Sequence, residues 1–277
     1  MQEENNKQLT LEEIKSIELN ILLEFDAFCK KNNITYFLAY GTLIGAIRHQ
    51  GFIPWDDDID VIMPRPDYEK FKSISYSTPI KENYISVSYD SPSYKSVYPY
   101  LKIIDINTVA IEQNLPDQKT GIWIDIFPVD ALPNSDKIRS KIFKRNLIQK
   151  RLFRILTNNS SFTKNIIKKV AIILLKPLRF FVKVNTLCKK MNTTATKYRF
   201  GSTKYAGALL WGNGPEEAFP TEIFTKTKTT SFEGYPFNII EDYDKFLTQL
   251  YGDYMQLPPE DQRPVHNIKA YILNDKK

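Results

Sequence analysis

A run of acidic residues, Asp56-Asp57-Asp58-Ile59-Asp60, has the residue types and spacing that suit metal-assisted chemistry. Apolar residues follow it, so the segment Asp57–Met63 is predicted to be a half-buried β-strand. Side chains alternate along a strand, which would put Asp56, Asp58 and Asp60 on one face, about 6.5–7 Å apart in succession. Carboxylates so arranged repel one another unless positive charge offsets the repulsion. A divalent ion would supply that charge, because Mg²⁺ takes one or two carboxylates and completes its shell with water and substrate phosphate.

Two other interpretations of the acidic run were weighed against this one. A solvated acidic turn is the simpler alternative, and the alternation of the aspartates with Ile59 and Val61 argues against it. A calcium loop of the EF-hand type needs glycine at the sixth position counted from Asp56, and that position holds Val61. The calcium loop is therefore excluded.

Two further segments could complete such a site. Gly41-Thr42-Leu43-Ile44-Gly45 lies between a predicted strand and a short helix, where glycine allows close approach and helix amides favour phosphate. Asp125 lies on the strand face opposite to Ile122, Ile124 and Ile126, so it is predicted to be a third carboxylate. An aspartate at a sheet edge is the alternative. Glycine patterns of the P-loop or Rossmann type do not occur in the sequence.

The elements that must position these residues follow from periodicity and turn signals. Helices are predicted from a capping box at Thr10-Leu11-Glu12-Glu13, over Thr42–His49, from Pro66, and over Glu241–Tyr251, which ends at Gly252. Strands are predicted at Tyr36–Tyr40, Asp57–Met63, Tyr98–Asp105, Thr108–Gln113 and Ile122–Phe127. This order predicts an α/β or α+β domain with a helical part inserted or appended.

Composition is that of a globular protein, with 277 residues of which 42% are hydrophobic. Cys29 and Cys188 cannot form a disulfide framework and are predicted to be buried free thiols, which fits a reducing compartment. The polar N-terminus lacks a signal-peptide core, and no apolar run reaches the roughly 18 residues of a spanning helix.

The middle of the chain is strongly basic. Between Lys137 and Pro215 there are 19 of the 38 Lys and Arg residues and no Asp or Glu, which indicates a surface for an anionic partner. Residues 165–183 mix bulky apolar residues with Lys and Arg, and Pro177 would break or kink a helix there. An interfacial helix on an anionic membrane is predicted, with packing on the catalytic domain as the alternative. The stretch contains no nucleic-acid-binding motif.

Long segments around these residues resemble the LicD family of phosphocholine transferases. The resemblance is carried by Tyr40–His49, Gly51–Asp60, Trp123–Pro128 and Tyr251–Pro259, and it extends over about residues 10–270. It implies an α+β fold of the nucleotidyltransferase type, in which a mixed β-sheet is flanked by helices and carries a basic helical insertion.

The same resemblance divides the chain into three parts. Residues 1–135 would form the catalytic core, residues 136–205 the basic amphipathic helical region, and residues 206–277 a segment that completes the catalytic domain.

Members of this family typically transfer phosphocholine from CDP-choline to a sugar hydroxyl of a cell-surface glycan, such as lipopolysaccharide or teichoic acid, or of its lipid-linked precursor. Fukutin-like relatives use CDP-ribitol instead. By resemblance, Asp58 and Asp60 would hold Mg²⁺ or Mn²⁺ on the donor diphosphate. Asp125 would complete the metal shell or accept the proton of the acceptor hydroxyl. The expected location is the cytoplasm, peripheral on the inner face of the cell membrane, where such precursors are built.

Further substrate-binding residues follow from the same comparison. Gly41 and Thr42 would cradle phosphate, although the wider superfamily has Ser where this chain has Thr42. Arg48 would contact phosphate or pair with an aspartate, and Arg263 and His266 could reach the donor. Asn267 follows His266 where a His-His pair is common. Choline calls for an aromatic cage around its quaternary ammonium, for which Trp55, Trp123 and Trp211 are candidates.

Two other functions fit the same residues. A nucleotidyltransferase would leave the nucleotide on the acceptor and release pyrophosphate, and product analysis would distinguish it. A non-catalytic glycan- or lipid-binding protein could also use this fold. The donor head group, whether choline, ethanolamine, ribitol or glycerol, is not determined by the sequence.

Overall fold

A mixed β-sheet with helices packed against it forms the body of the protein, seen in a computed structural model that describes residues 7–111, 119–157, 174, 177, 180–263 and 268–273. The helices are α1 (Leu11–Lys31), α2 (Tyr40–Arg48), α3 (Arg65–Ser77), α4 (Asp136–Thr157), α5 (Val184–Ala195) and α6 (Tyr243–Tyr251). The strands are β1 (Phe37–Leu38), β2 (Asp60–Pro64), β3 (Tyr84–Val87), β4 (Leu101–Ile111), β5 (Lys119–Leu132), β6 (Tyr205–Gly207), β7 (Phe219–Pro220), β8 (Thr227–Phe232), β9 (Tyr235–Ile240) and β10 (Lys269–Ile272). The predicted α+β class with a mixed, helix-flanked sheet is confirmed.

The strand order β1-β2-β5-β4-β10 brings distant parts of the sequence together. Strands β2 and β5 run parallel, and β4 pairs with β5 in the antiparallel sense. In this register Asp60 and Lys102 are the two partners of Asp125 on the adjacent strands. These three residues therefore form one row across the sheet, although more than 60 positions separate the first from the last.

Helix α1 closes one face of the sheet. It begins with the predicted capping box, in which the Thr10 hydroxyl accepts a hydrogen bond from the Glu13 N–H while the Glu13 side chain accepts one from the Thr10 N–H. Its apolar face is fully buried at Ile21, Leu22 and Phe25. Burial of each such side chain contributes about 1.5–3 kcal/mol.

The strand that follows the acidic run begins later than the sequence predicts. Strand β2 begins at Asp60, so the prediction that Asp56 and Asp58 lie within the strand is wrong. A turn is the reason, since the Asp56 N–H donates to the Ile53 carbonyl at 3.0 Å. The chain then runs beside β5 before regular pairing begins, with the Asp125 N–H donating to the Ile59 carbonyl at 2.8 Å.

Three other strand predictions need correction. The segment predicted as a strand over Tyr36–Tyr40 is a strand only at Phe37–Leu38, because Tyr40 has φ +49° and begins α2. The predicted strands Tyr98–Asp105 and Thr108–Gln113 are one strand, β4, with a register shift between Asp105 and Ala110. Strand β5 continues past the predicted end at Phe127 because its last residues pair with β6.

Helices α4 and α5 lie in the basic middle and pack on each other. Most of the predicted interfacial segment 165–183 lies outside the described residues, as does His266. Within the described part of that segment, Phe180 is 78% exposed and Phe181 is 85% exposed. The described helices include none that is long and apolar enough to cross a membrane. Cys29 and Cys188 are buried free thiols, as predicted.

Candidate active site

A cavity of about 560 Å³ opens where the acidic segment meets the start of α2. It gathers three carboxylates predicted from the sequence, those of Asp58, Asp60 and Asp125, and adds Asp56. Gly41, Arg48 and Trp55 also line it. The structure thus places most of the predicted site residues around one space.

The four aspartates form an acidic wall of this cavity, and their mutual repulsion is visible at Asp60. Burial raises the pKa of the Asp60 carboxyl well above its usual range, and the charges of Asp58, Asp125 and Asp56 raise it further. The wall therefore favours any cation that can approach it.

The residues of the acidic wall fit Mg²⁺ or Mn²⁺. Within the described residues, no three Asp, Glu, His or Cys side chains form a complete metal-ligating group. A hard ion that takes only one or two carboxylates, and completes its shell with water and phosphate oxygens, needs no such group. Asp58 and Asp60 are the pair that the sequence analysis predicts to hold the ion, and both line the cavity.

A buried lysine that the sequence analysis missed pairs with the third carboxylate. Lys102 is only 2% exposed, and its Nζ lies 2.8 Å from Asp125 Oδ1. The ammonium also lies 4.1 Å from the ring centroids of Tyr98 and Trp123, so aromatic faces surround it. Lys102 thereby fixes Asp125 beside Asp60 and offsets part of the negative charge.

The start of α2 is shaped to receive the acidic segment. A Cβ atom at Gly41 would lie 2.6 Å from Asp56 Oδ2, so only glycine allows this carboxylate to come so close. The Thr42 hydroxyl accepts a hydrogen bond from the Asp60 N–H at 2.8 Å. Thr42 is buried and fixes the beginning of β2, whereas the sequence analysis predicted that it contacts phosphate.

Arg48 donates to main-chain carbonyls rather than to an aspartate, and its contact with phosphate stays a prediction. Its Nη1 donates to the carbonyl of Tyr254 at 2.6 Å and to that of Gln256 at 3.3 Å. Arg48 therefore ties the segment after α6 to the end of α2. Trp55 lines the cavity, and the Arg263 guanidinium lies 4.2 Å from its ring centroid. Because Trp55 lines the cavity, Arg263 lies beside one of its lining residues.

A second part of the lining comes from the loop between β6 and β7, which the sequence analysis did not identify. Glu217 is 1% exposed and accepts hydrogen bonds from the Tyr40 hydroxyl and the Asn213 N–H, both at 3.2 Å. Burial raises the pKa of Glu217 to about 7. The loop is held from two sides, because Lys150 Nζ donates to two of its carbonyls and Gln249 Nε2 to two others.

Comparison with known proteins identifies a matching family model and related proteins. The family model described as "LicD/FKTN/FKRP, nucleotidyltransferase domain" matches residues 33–146. The chain is 36% identical over 271 residues to the lipopolysaccharide cholinephosphotransferase LicD of Haemophilus influenzae, and the match covers 96% of this chain and all of that protein. A shorter similarity, 27% identity over 136 residues, relates 46% of this chain to 11% of mannosyltransferase regulator 4 of Saccharomyces cerevisiae.

Proposed function

The chain belongs to the LicD family and is a transferase, and on that premise we propose that it moves phosphocholine from CDP-choline to a sugar hydroxyl of a cell-surface glycan. The relative that matches it end to end is a lipopolysaccharide cholinephosphotransferase, so lipopolysaccharide or its lipid-linked precursor is the proposed acceptor. The observation that carries the proposal is the acidic wall of the cavity, where Asp58 and Asp60 face a space large enough for a nucleotide-linked donor.

In the proposed reaction the acceptor oxygen forms a bond to the choline-bearing phosphorus. The bond from that phosphorus to the bridging oxygen of the diphosphate breaks, and CMP leaves. A metal held by Asp58 and Asp60 would neutralise the diphosphate and polarise the phosphorus. Asp125, held in place by Lys102, either contributes to the metal shell or accepts the proton of the acceptor hydroxyl.

Gly41 supports this arrangement because it has no side chain. Asp56 can therefore lie against the first turn of α2. Thr42 then anchors the main chain of Asp60. Asp56 and the main chain of Asp60 are therefore positioned against the first turn of α2, which favours a fixed position for the donor phosphates.

Nucleotidyl transfer is the runner-up, because the same fold and carboxylates could instead release pyrophosphate from a nucleoside triphosphate. A donor panel distinguishes the two. The protein is incubated with Mg²⁺ or Mn²⁺ and with CDP-choline, CDP-ethanolamine, CDP-ribitol, CDP-glycerol or CTP, and the released nucleotide is identified. We expect CMP from CDP-choline. Pyrophosphate from CTP, with nucleotide on the acceptor, would establish the runner-up instead.

A protein that only binds glycans or lipids would release nothing from any donor in this panel. Asp57→Asn is the matched control for Asp58→Asn, because Asp57 belongs to the same acidic run and does not line the cavity. CMP release that is lost in Asp58→Asn and kept in Asp57→Asn would tie the activity to the acidic wall.

A further inference from the structure

Part of the cavity differs from the acidic wall in chemical character. Tyr40, Phe127, Trp211 and Tyr251 line it together with Glu217. Three of these rings belong to a connected series, in which the centroids of Tyr40 and Phe127 are 5.8 Å apart. The series continues to Trp211 through Tyr100, whose centroid is 4.6 Å from that of Phe127 and 5.2 Å from that of Trp211. We call the four lining aromatic residues, Tyr40, Phe127, Trp211 and Tyr251, the aromatic wall.

Glu217 adds a carboxyl group to this wall, and its pKa of about 7 means that it is negatively charged above neutral pH. Two hydrogen bonds, one from the Tyr40 hydroxyl and one from the Asn213 N–H, hold its carboxylate in place. Within the part of the chain that the structure describes, Glu217 forms no ion pair. The charge of the Lys150 ammonium lowers the pKa of Glu217, and Lys150 itself donates to the carbonyls of Trp211 and Gly212 at 2.6 Å.

The other two tryptophans are already covered by cations of the chain. The guanidinium of Arg263 lies 4.2 Å from the centroid of Trp55, and the ammonium of Lys102 lies 4.1 Å from that of Trp123. Near Trp211 the corresponding groups of Lys150 and Arg154 are farther away, at 5.1 and 5.9 Å. Trp211 is therefore the tryptophan best able to accept a cation from outside.

We propose that the aromatic wall binds the quaternary ammonium group of the donor, with Tyr40, Trp211 and Tyr251 around it and Glu217 as its counter-charge. This inference rests on the proposed function, because it assumes a choline-bearing donor. A trimethylammonium group has no N–H to donate, so aromatic faces and a nearby carboxylate are the groups that recognise it.

The position of Tyr40 links this subsite to the acidic wall. Its neighbour Gly41 touches Asp56, while its own hydroxyl reaches Glu217. Tyr251 lies under the influence of both regions, because the charges of Asp60 and Glu217 add to burial in raising the pKa of its hydroxyl. A phosphate placed at the aspartates would therefore leave its head group beside Tyr40 and Tyr251.

The experiment compares the affinities of CDP-choline, CDP-glycerol and CMP by calorimetry with Mg²⁺ present. In the wild type we expect CDP-choline to bind more tightly than CDP-glycerol or CMP. Glu217→Gln should weaken CDP-choline binding on the order of tenfold and leave CMP and CDP-glycerol unchanged. Glu216→Gln is the matched control, because Glu216 is the adjacent exposed carboxylate. Glu216→Gln should change none of the three affinities.

A second measurement does not depend on any variant. In an NMR experiment on the wild type, saturation of the aromatic protein protons should transfer to the choline methyl groups of bound CDP-choline. The proposal is overturned if the methyl signal is unaffected, or if Glu217→Gln weakens CMP and CDP-choline equally. It is also overturned if that variant slows turnover while all three affinities stay the same, which would make Glu217 a proton acceptor. Failure of the proposed function is distinguishable, because the wild type would then release no CMP from any donor.

Discussion

Replacement of Lys102 by methionine should strongly destabilise the protein in the absence of divalent metal. Methionine keeps an unbranched apolar side chain between Tyr98 and Trp123 but removes the ammonium that pairs with Asp125. Removal of one partner of a buried ion pair costs about 3–5 kcal/mol, because the other charge remains buried and uncompensated. We expect the upper half of this range, since Asp125 is also beside Asp60 in the sheet.

The loss should be measured as the free energy of unfolding in urea, with EDTA present. The double variant Lys102→Met/Asp125→Asn should recover most of the stability, because the buried pair is then replaced by neutral groups. Lys245→Met serves as the surface control, and its effect should stay within about 0.5 kcal/mol.

Divalent metal should restore part of the stability of Lys102→Met. An ion on the acidic wall supplies the missing positive charge, and a free concentration a hundred times its Kd would add about 2.7 kcal/mol. Addition of Mn²⁺ should therefore raise the free energy of unfolding of Lys102→Met above its value in EDTA. If Lys102→Met unfolds at the same urea concentration as the wild type in EDTA, the assignment of Lys102 as the counter-charge of Asp125 is wrong.

The remaining predictions concern the metal, the head group and the membrane. Asp58→Asn and Asp60→Asn should each abolish CMP release while the circular dichroism spectrum stays native, and wild-type turnover in either variant would refute the metal assignment. Since burial raises the pKa of Glu217 to about 7, this carboxylate gains its charge as the pH rises through 7. CDP-choline affinity should therefore weaken as the pH falls through 7 and level off about tenfold lower, as in Glu217→Gln, and a pH-independent affinity in calorimetry would contradict this. The protein should float with anionic liposomes at low salt and be released at high salt. Absence of binding under all conditions, together with unfolding on deletion of residues 164–184, would indicate a structural helix.

The parts of the site that could be predicted from the sequence are those set by local pattern. Asp58, Asp60 and Asp125 stand out because apolar residues alternate around them. The capping box of α1 follows in the same way from the spacing of Thr10 and Glu13. Such features depend on residues close in the chain. The structure has the capping box and brings the three aspartates to one cavity, although β2 begins only at Asp60.

The missed residues depend on long-range pairing. Lys102 meets Asp125 only because β4 and β5 pair in one antiparallel register, and a single lysine in an apolar strand does not indicate its partner. Glu217 comes to Tyr40 from 177 positions away through a loop that carries no recognisable motif. The hydrogen bond that the Thr42 hydroxyl accepts from the Asp60 N–H is also invisible to sequence reasoning, and the contact of Thr42 with phosphate stays a prediction.

Identification of both products with a glycan acceptor tests the central claim most directly. Purified protein, Mg²⁺ and CDP-choline are incubated with lipopolysaccharide that lacks phosphocholine, and the glycan is analysed by mass spectrometry and ³¹P NMR. The proposed function predicts CMP in solution and an equal amount of phosphocholine in a phosphodiester on the glycan, both absent with Asp58→Asn. Intact CDP-choline, or a cytidine nucleotide attached to the glycan, would contradict it.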